Sequence, residues 1–320
     1  MTAAGPHKPL HMGAREWATL LLLSVIWGAS FFFYRVMVRE LQPLTIVFGR
    51  LAIGAAALHL FLLFARQSMR FPAGTWVRFG LLGLINNVIH FTLIAASETR
   101  IGAGVAALLI GAVPVLTAVF GHFLTHDEKL TWNRAVGVLF GIAGVAVLIG
   151  ADALQGLANA DFVGELICLS ATVIYALGGL YSRRFRDIPP LKAATGQVTM
   201  GALIALPLSL AIDRPWTLPM PSAPVWTSLL GIAVVGTSLA YILFFRIVAK
   251  AGAMNISLVT LLQPVSAGFL GWLFLGETFT ANAVAGLAII ALGLACIDGR
   301  LVKWIFGAGI AHRSSPPDKT

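Results

Sequence analysis

The chain has 320 residues, of which 58% are hydrophobic and only 11% charged. Soluble domains carry about 25% charged residues, so no soluble fold of this length hides so much apolar surface, and the chain reads as a protein that crosses a bilayer many times. The formal charge of +9 comes from Lys and Arg scattered between apolar stretches; it lacks the basic runs with interleaved aromatics of a nucleic-acid surface, and no nucleic-acid partner is expected.

A membrane helix needs about 20 mostly apolar residues. A polar tail, 1–16, leads into an apolar segment without a small-residue cleavage site, so it reads as a retained cytoplasmic tail. Ten candidate spans follow: 17–36, 44–64, 76–96, 101–124 and 131–150, then 162–182, 191–212, 225–249, 253–275 and 281–297. Residues 17–150 and 162–297 are thus two five-helix units, and 298–320 form a polar C-terminal tail. Pro43, Pro72-Ala73-Gly74 and Pro189-Pro190 punctuate the connections, and Trp17, Trp76, Trp132, Trp216 and Trp226 fall near span ends, where indoles favour the headgroup region. Cys168 and Cys296 sit inside apolar segments and read as small hydrophobes rather than a disulfide or metal pair.

With the N-terminus inside, nearly all Lys and Arg fall in cytoplasmic segments. Only Arg35, Arg39, Arg100 and Arg214 lie in outer loops, with Arg50 within the second span. That asymmetry predicts both termini in the cytoplasm.

The two units repeat one another. Gly102-Ala103-Gly104, Pro114, Glu128, Gly137 and Gly144 recur as Gly252-Ala253, Pro264, Glu277, Gly286 and Gly293. Ser24, Trp27 and Arg35 align with Thr172, Tyr175 and Arg183, and Phe91 and Arg100 with Tyr241 and Lys250. Five spans per unit is an odd number, so the second unit enters the membrane upside down. Inverted repeats of this kind mark secondary transporters, with the substrate held near the midplane between the halves. The expected fold is an all-α membrane protein with ten transmembrane helices, built as two inverted five-helix repeats around a central cavity.

Trp27-Gly28-Ala29-Ser30-Phe31, Pro43, Phe48-Gly49-Arg50-Leu51-Ala52 and the two Gly-Ala/proline/glutamate/glycine blocks resemble the drug/metabolite transporter superfamily, EamA type. The resemblance covers nearly the whole chain. It implies a cavity formed by helices 1–4 and 6–9, with helices 5 and 10 peripheral, and a substrate among amino acids, amines, sugars or nucleotide derivatives. In its overall look the sequence is nearest to the family's bacterial aromatic amino-acid exporters.

Polar residues inside a membrane are costly and point to function. Asn86 and His90 share a face of the third helix and either line the cavity or bond neighbouring helices; His90 is also a titratable group. Ser24 with Trp27, and Thr172 with Tyr175, form two facing walls suited to an aromatic or amphipathic metabolite, or else they pack as interface side chains. Ser238 and Tyr241 make a similar face on the eighth helix, and Ser257 and Gln263 belong to the ninth. Pro114 and Pro264 lie mid-span, each leaving a carbonyl without its helical partner, and are candidate gating hinges. Arg50 either contacts a substrate carboxylate or plays a structural part, snorkelling outward or pairing with an acid such as Glu98; the structural reading is preferred. Glu128 and Glu277 read as helix-exit residues.

No Asp or Glu occupies the middle of a predicted span, which argues against a cationic-drug site and against proton antiport through a carboxylate. No phosphate-gripping Gly-x4-Gly-Lys-Ser/Thr loop, zinc helix or nucleophile elbow occurs, so no ATP, metal, cofactor or enzymatic activity is expected. The functional expectation is an inner-membrane exporter of neutral or zwitterionic small metabolites, amino acids including aromatic ones foremost, as a monomer or homodimer working by alternating access. A permease for an amine or nucleotide derivative is the alternative within transport; an intramembrane enzyme, a channel or a scaffold is the alternative outside it.

Overall fold

A computed structural model of the chain describes residues 13–125, 132–149, 160–276 and 280–298. Glu128, Glu277 and most of both tails lie outside the described residues. Eight helices are long and apolar enough to cross a membrane: α1 (Ala14–Met37), α2 (Pro43–Phe64), α3 (Ala73–Glu98), α4 (Ala103–Leu124), α6 (Phe162–Phe185), α7 (Pro190–Asp213), α8 (Ala223–Gly252) and α9 (Asn255–Leu275). Two more, α5 (Trp132–Ile149) and α10 (Ala281–Asp298), close the two five-helix units. No strand occurs among the described residues. Proline opens α2 and α7 in their first turn, where its missing N–H costs nothing.

Large apolar side chains point outward, among them Leu21, Leu22 and Val25 on α1, Leu63 and Phe64 on α2, and Phe269 and Trp272 on α9. In water such a surface would be a liability; against acyl chains it is the expected one. The polar groups turn inward instead, and Ser24, Arg50, Asn86, Asn87, His90, Gln197, Thr237 and Gln263 are all buried.

The packing follows the repeat. α1 packs on α9 as α6 packs on α4; α1 meets α8 as α6 meets α3; α2 meets α8 as α7 meets α3. α2 and α7 pair with each other, and so do α5 and α10. One pseudo-two-fold operation relates all these contacts, which is the inverted-repeat architecture. α1 and α8 run antiparallel and are tied at both ends. Ser222, which precedes α8, donates its N–H and hydroxyl to the Glu40 carboxylate at 2.7 and 2.6 Å. These bonds hold that carboxyl below its usual range. At the other end Lys250 lies 3.3 Å from Glu16.

The duplicated glycine motifs resolve into helix seams. A Cβ on Gly144 would lie 2.8 Å from the Gly286 carbonyl, and one on Gly293 would lie 2.6 Å from that of Gly137. The recurrent glycines therefore let α5 and α10 touch backbone to backbone, as small residues do in membranes. Gly28 does the same for α1 and α9, since a Cβ there would run into Ser266 and the Gln263 carbonyl.

Several helices depart from α geometry, and the prolines are only part of the reason. α3 and α8 each widen into a π-helical segment, Leu84–Ile89 and Val234–Leu239, at equivalent places in the two repeats. α4 breaks at Gly111 and Ala112, and Pro114 sits in the first turn of the helix that restarts at Val113. Pro114 thus opens a helix rather than kinking one from within. Pro264 lies inside the segment Val259–Leu270, after a break at Leu258.

The α5–α10 seam yields a prediction. Gly293→Val should destabilise the protein by about 1–3 kcal/mol, because the added carbons meet backbone that cannot move aside. Gly179→Ala, where a Cβ meets nothing within 4 Å, should leave the melting temperature unchanged or raised. Thermal unfolding of the purified variants in detergent measures both.

Candidate functional site

Between the repeats lies a narrow cavity of about 40 Å³. Trp27, Ser30, Phe31 and Tyr34 of α1 line it, with Arg50 of α2, His90, Phe91 and Ile94 of α3, Ile110 of α4, Tyr175 of α6, Tyr241 of α8, and Thr260 and Gln263 of α9. Both repeats contribute, and among the described residues none of α5 or α10 lines this wall.

The aromatic part of the wall is locked in place. The Trp27 indole meets Tyr175 and Tyr241 edge-on, with ring centroids 6.1 and 6.0 Å apart. Its Nε1–H donates to the Gly236 carbonyl at 3.1 Å. Tyr241 donates its hydroxyl to Asn87 Oδ1 at 2.7 Å. The His90 ring stacks on Tyr175 at 4.8 Å, and its Nδ1 lies 3.0 Å from the Ala171 carbonyl. A carbonyl can only accept, so the proton sits on Nδ1, and a neutral ring then carries its lone pair on Nε2.

Arg50 is the only Lys or Arg on this wall, and it is 1% exposed. Its Nε donates to Thr237 Oγ1 at 2.7 Å, Nη1 to the Tyr34 hydroxyl at 2.8 Å, and Nη2 to the Gly236 carbonyl at 3.0 Å. The Phe91 ring lies 3.7 Å from the guanidinium carbon, near enough for a cation–π contact. Arg50 neither snorkels outward nor pairs with Glu98; all its partners among the described residues are uncharged.

The Arg50 lock has a neutral twin. Pro43 to Gly49-Arg50 on α2 has the spacing of Pro190 to Gly196-Gln197 on α7, and Thr237 holds the place in its π segment that Asn87 holds in the other. Gln197 Nε2 donates to Asn87 Oδ1 at 2.6 Å, as Arg50 donates to Thr237. Each π segment therefore receives one side chain from the helix packed against it, charged in one repeat and neutral in the other.

Of the residues expected at the cavity, Trp27, His90, Tyr175, Tyr241 and Gln263 stand on its wall, and Ser24, Asn86, Thr172, Ser238 and Ser257 do not. The reason is visible for the hydroxyls. Ser24 donates to Leu20 of its own helix at 2.8 Å, and Thr172 to Cys168 at 2.9 Å. Ser238 donates to the Gly54 and Ala233 carbonyls at 2.9 and 3.0 Å and thereby ties α8 to α2. Asn86 is wholly buried against Gly178 of α6, where a Cβ would lie 1.7 Å from its Oδ1. Pro114 and Pro264 are absent from the wall, yet the residues four before them, Ile110 and Thr260, are on it. Pro264 instead faces an outer apolar groove shared with Val265, Phe269 and Trp272. Arg50, Tyr34, Ser30 and Phe31 were outside the expected set. The sequence signal for Arg50 was a cation in the middle of an apolar span.

An all-helical inverted repeat enclosing a polar and aromatic cavity at its centre defines a multi-pass membrane transporter for small molecules. The chain belongs to the EamA-like transporter family, whose profile matches it twice, over residues 16–150 and 162–297. It is similar to the uncharacterized transporter YoaV of Bacillus subtilis, 24% identical over 276 residues, covering 86% of this chain and 94% of that protein. The uncharacterized inner membrane transporter YedA of Escherichia coli is 26% identical over 294 residues, with 90% and 92% covered. A protein named as an S-adenosylmethionine/S-adenosylhomocysteine transporter in Chlamydia trachomatis is 24% identical over 282 residues, with 86% of each chain covered. One solved crystal structure shares the fold, with a TM-score of 0.67 at 20% identity over 89% of this chain and 96% of that one.

Asn87 tests the network behind the wall. Asn87→Leu keeps the volume but strands the Gln197 amide and the Tyr241 hydroxyl, so stability should fall by about 1–3 kcal/mol. Gln197→Leu added to it should recover part of that loss, because one stranded donor goes with it. Thermal unfolding of the single and double variants decides.

Proposed function

We propose that the protein is a secondary exporter of small zwitterionic or neutral metabolites, amino acids including aromatic ones foremost, working by alternating access without ATP. The observation that carries this reading is the cavity wall itself: Trp27, Tyr175, Tyr241 and Phe91 line a small cavity beside a few polar side chains. Flat rings with polar edges suit a planar or amphipathic solute. The described wall holds no Asp or Glu, which speaks against an organic cation as substrate and against carboxylate-based proton coupling.

The pseudo-symmetric locks suggest how access alternates. Arg50–Thr237 closes α2 on α8, and Gln197–Asn87 closes α7 on α3. Loosening one while keeping the other opens the cavity to one side only. The π segments and the chain breaks before Pro114 and Pro264 are where the helices have least regular backbone bonding to lose. We place the protein in the cell's inner membrane with both termini cytoplasmic, on the asymmetry of its Lys and Arg.

A second reading is favoured by one relative. The chlamydial protein named for S-adenosylmethionine and S-adenosylhomocysteine suggests a substrate with an amino-acid end and a planar base, for which the ring faces of the wall would be suited.

Reconstituted protein should move labelled phenylalanine, tryptophan or threonine across liposome membranes without ATP, and no flux of any amino acid would refute the substrate assignment. Trp27→Ala and Tyr175→Ala should each lower flux roughly tenfold by removing a ring face, while size-exclusion profiles stay unchanged. Collapsing a pH gradient should have little effect on the rate; strict dependence on it would point to His90 instead.

A further inference from the structure

Two sets of polar groups on the cavity wall have bonding capacity left. The first is Arg50, a cation held in a low-dielectric interior with no carboxylate hydrogen-bond partner among the described residues. A guanidinium has five N–H donors, and Thr237, Tyr34 and Gly236 take one each. Two donors remain on a side chain that forms part of the cavity wall. A buried cation hydrogen-bonded only to neutral groups is costly, and an anion brought by a ligand would offset that cost.

The second set is two acceptors. Gln263 Oε1 and the Tyr175 hydroxyl oxygen are both buried on the cavity wall, and neither has a hydrogen-bond partner among the described residues. Gln263 is 4% and Tyr175 7% exposed, so bulk water does not satisfy them either. Buried polar atoms are nearly always partnered. Orphans that line a binding cavity are therefore candidates for ligand contact. The Trp27 indole N–H and the Tyr241 hydroxyl proton, by contrast, already go to protein acceptors.

We propose that this is a zwitterion site: Arg50 receives the substrate's carboxylate, Gln263 and Tyr175 receive its ammonium, and Trp27 covers its apolar body. The proposal rests on the amino-acid reading above and narrows it, because it makes the α-carboxylate the obligatory group and excludes the corresponding amines. A fork of guanidinium donors pairs with a carboxylate in a way that a single ammonium does not, so Lys at this position is a poor substitute. The repeat supports the assignment. Gln197, the counterpart of Arg50, lies off the cavity wall and donates its Nε2 to Asn87, so Arg50 is the one Lys or Arg among the described residues of the wall.

The test uses the full chain purified in detergent and ligand pairs differing by one group: tryptophan against tryptamine, phenylalanine against phenethylamine and against 3-phenylpropionate, and S-adenosylhomocysteine against its decarboxylated form. Loss of the carboxylate should weaken binding to the wild type at least tenfold, and less than twofold in Arg50→Gln. Loss of the ammonium should matter more in the wild type than in Gln263→Leu. Arg50→Lys should fold, keep the charge and recover only part of the carboxylate preference. If Arg50→Gln does not fold, the wild-type pairs and Arg50→Lys still decide. Binding of S-adenosylhomocysteine with the carboxylate preference, but of no simple amino acid, would refute the amino-acid reading and leave the zwitterion site standing. Equal binding within every pair, or a carboxylate preference unchanged in Arg50→Gln, would overturn the site while leaving amino-acid transport intact. No binding of any ligand would overturn both.

Discussion

The carbonyl of Gly236 is the point on which the inner structure depends. It accepts the indole N–H of Trp27 and one guanidinium N–H of Arg50, and so joins α1, α2 and α8 at one atom. A carbonyl has two lone pairs, but in a regular helix one of them serves the backbone. Here Gly236 lies in the π segment Val234–Leu239, and its carbonyl accepts two side-chain donors. With water excluded from the bilayer core, every such donor has to be met within the protein, so the wide turn, the buried arginine and the clamped indole are one arrangement.

The same constraint explains why duplication produced a scaffold and divergence a site. Each repeat places a π segment on its third helix and a polar side chain on the neighbouring second helix. One pair became Arg50 with Thr237, the other Gln197 with Asn87. The neutral pair is joined through an amide, Gln197 Nε2 donating to Asn87 Oδ1. The charged pair leaves donors over on a side chain that lines the cavity. Packing that repeats is thereby separated from chemistry that does not, which is how one membrane fold serves many substrates.

Much of the site could be read from residue types alone. Trp27, Tyr175 and Tyr241 recur at corresponding places in the two repeats, or pair with another aromatic there, and all three reach the wall, as His90 and Gln263 do. The small hydroxyls were misleading. Ser24 and Thr172 lie on the same helix faces as the rings, but a short hydroxyl reaches its own helix carbonyl four residues back before it reaches a cavity. Arg50 stood out in the sequence, yet a long flexible cation in a membrane usually snorkels to the surface. Only its distances to Thr237, Tyr34 and Gly236 show that it stays inside.

Sequence alone determined the class of the molecule: the low charge and the apolar segments dictate a polytopic membrane protein, and an odd number of spans per repeat dictates inversion. These are properties of hydrophobicity and count, and both are local. The tertiary structure decided which polar groups face each other. Whether Asn86 meets the cavity or Gly178, whether a glycine motif marks a hinge or a seam, and whether Arg50 finds an acid all depend on helix rotation and register. These are set by close contacts between segments far apart in the chain, to which periodicity within one helix is blind.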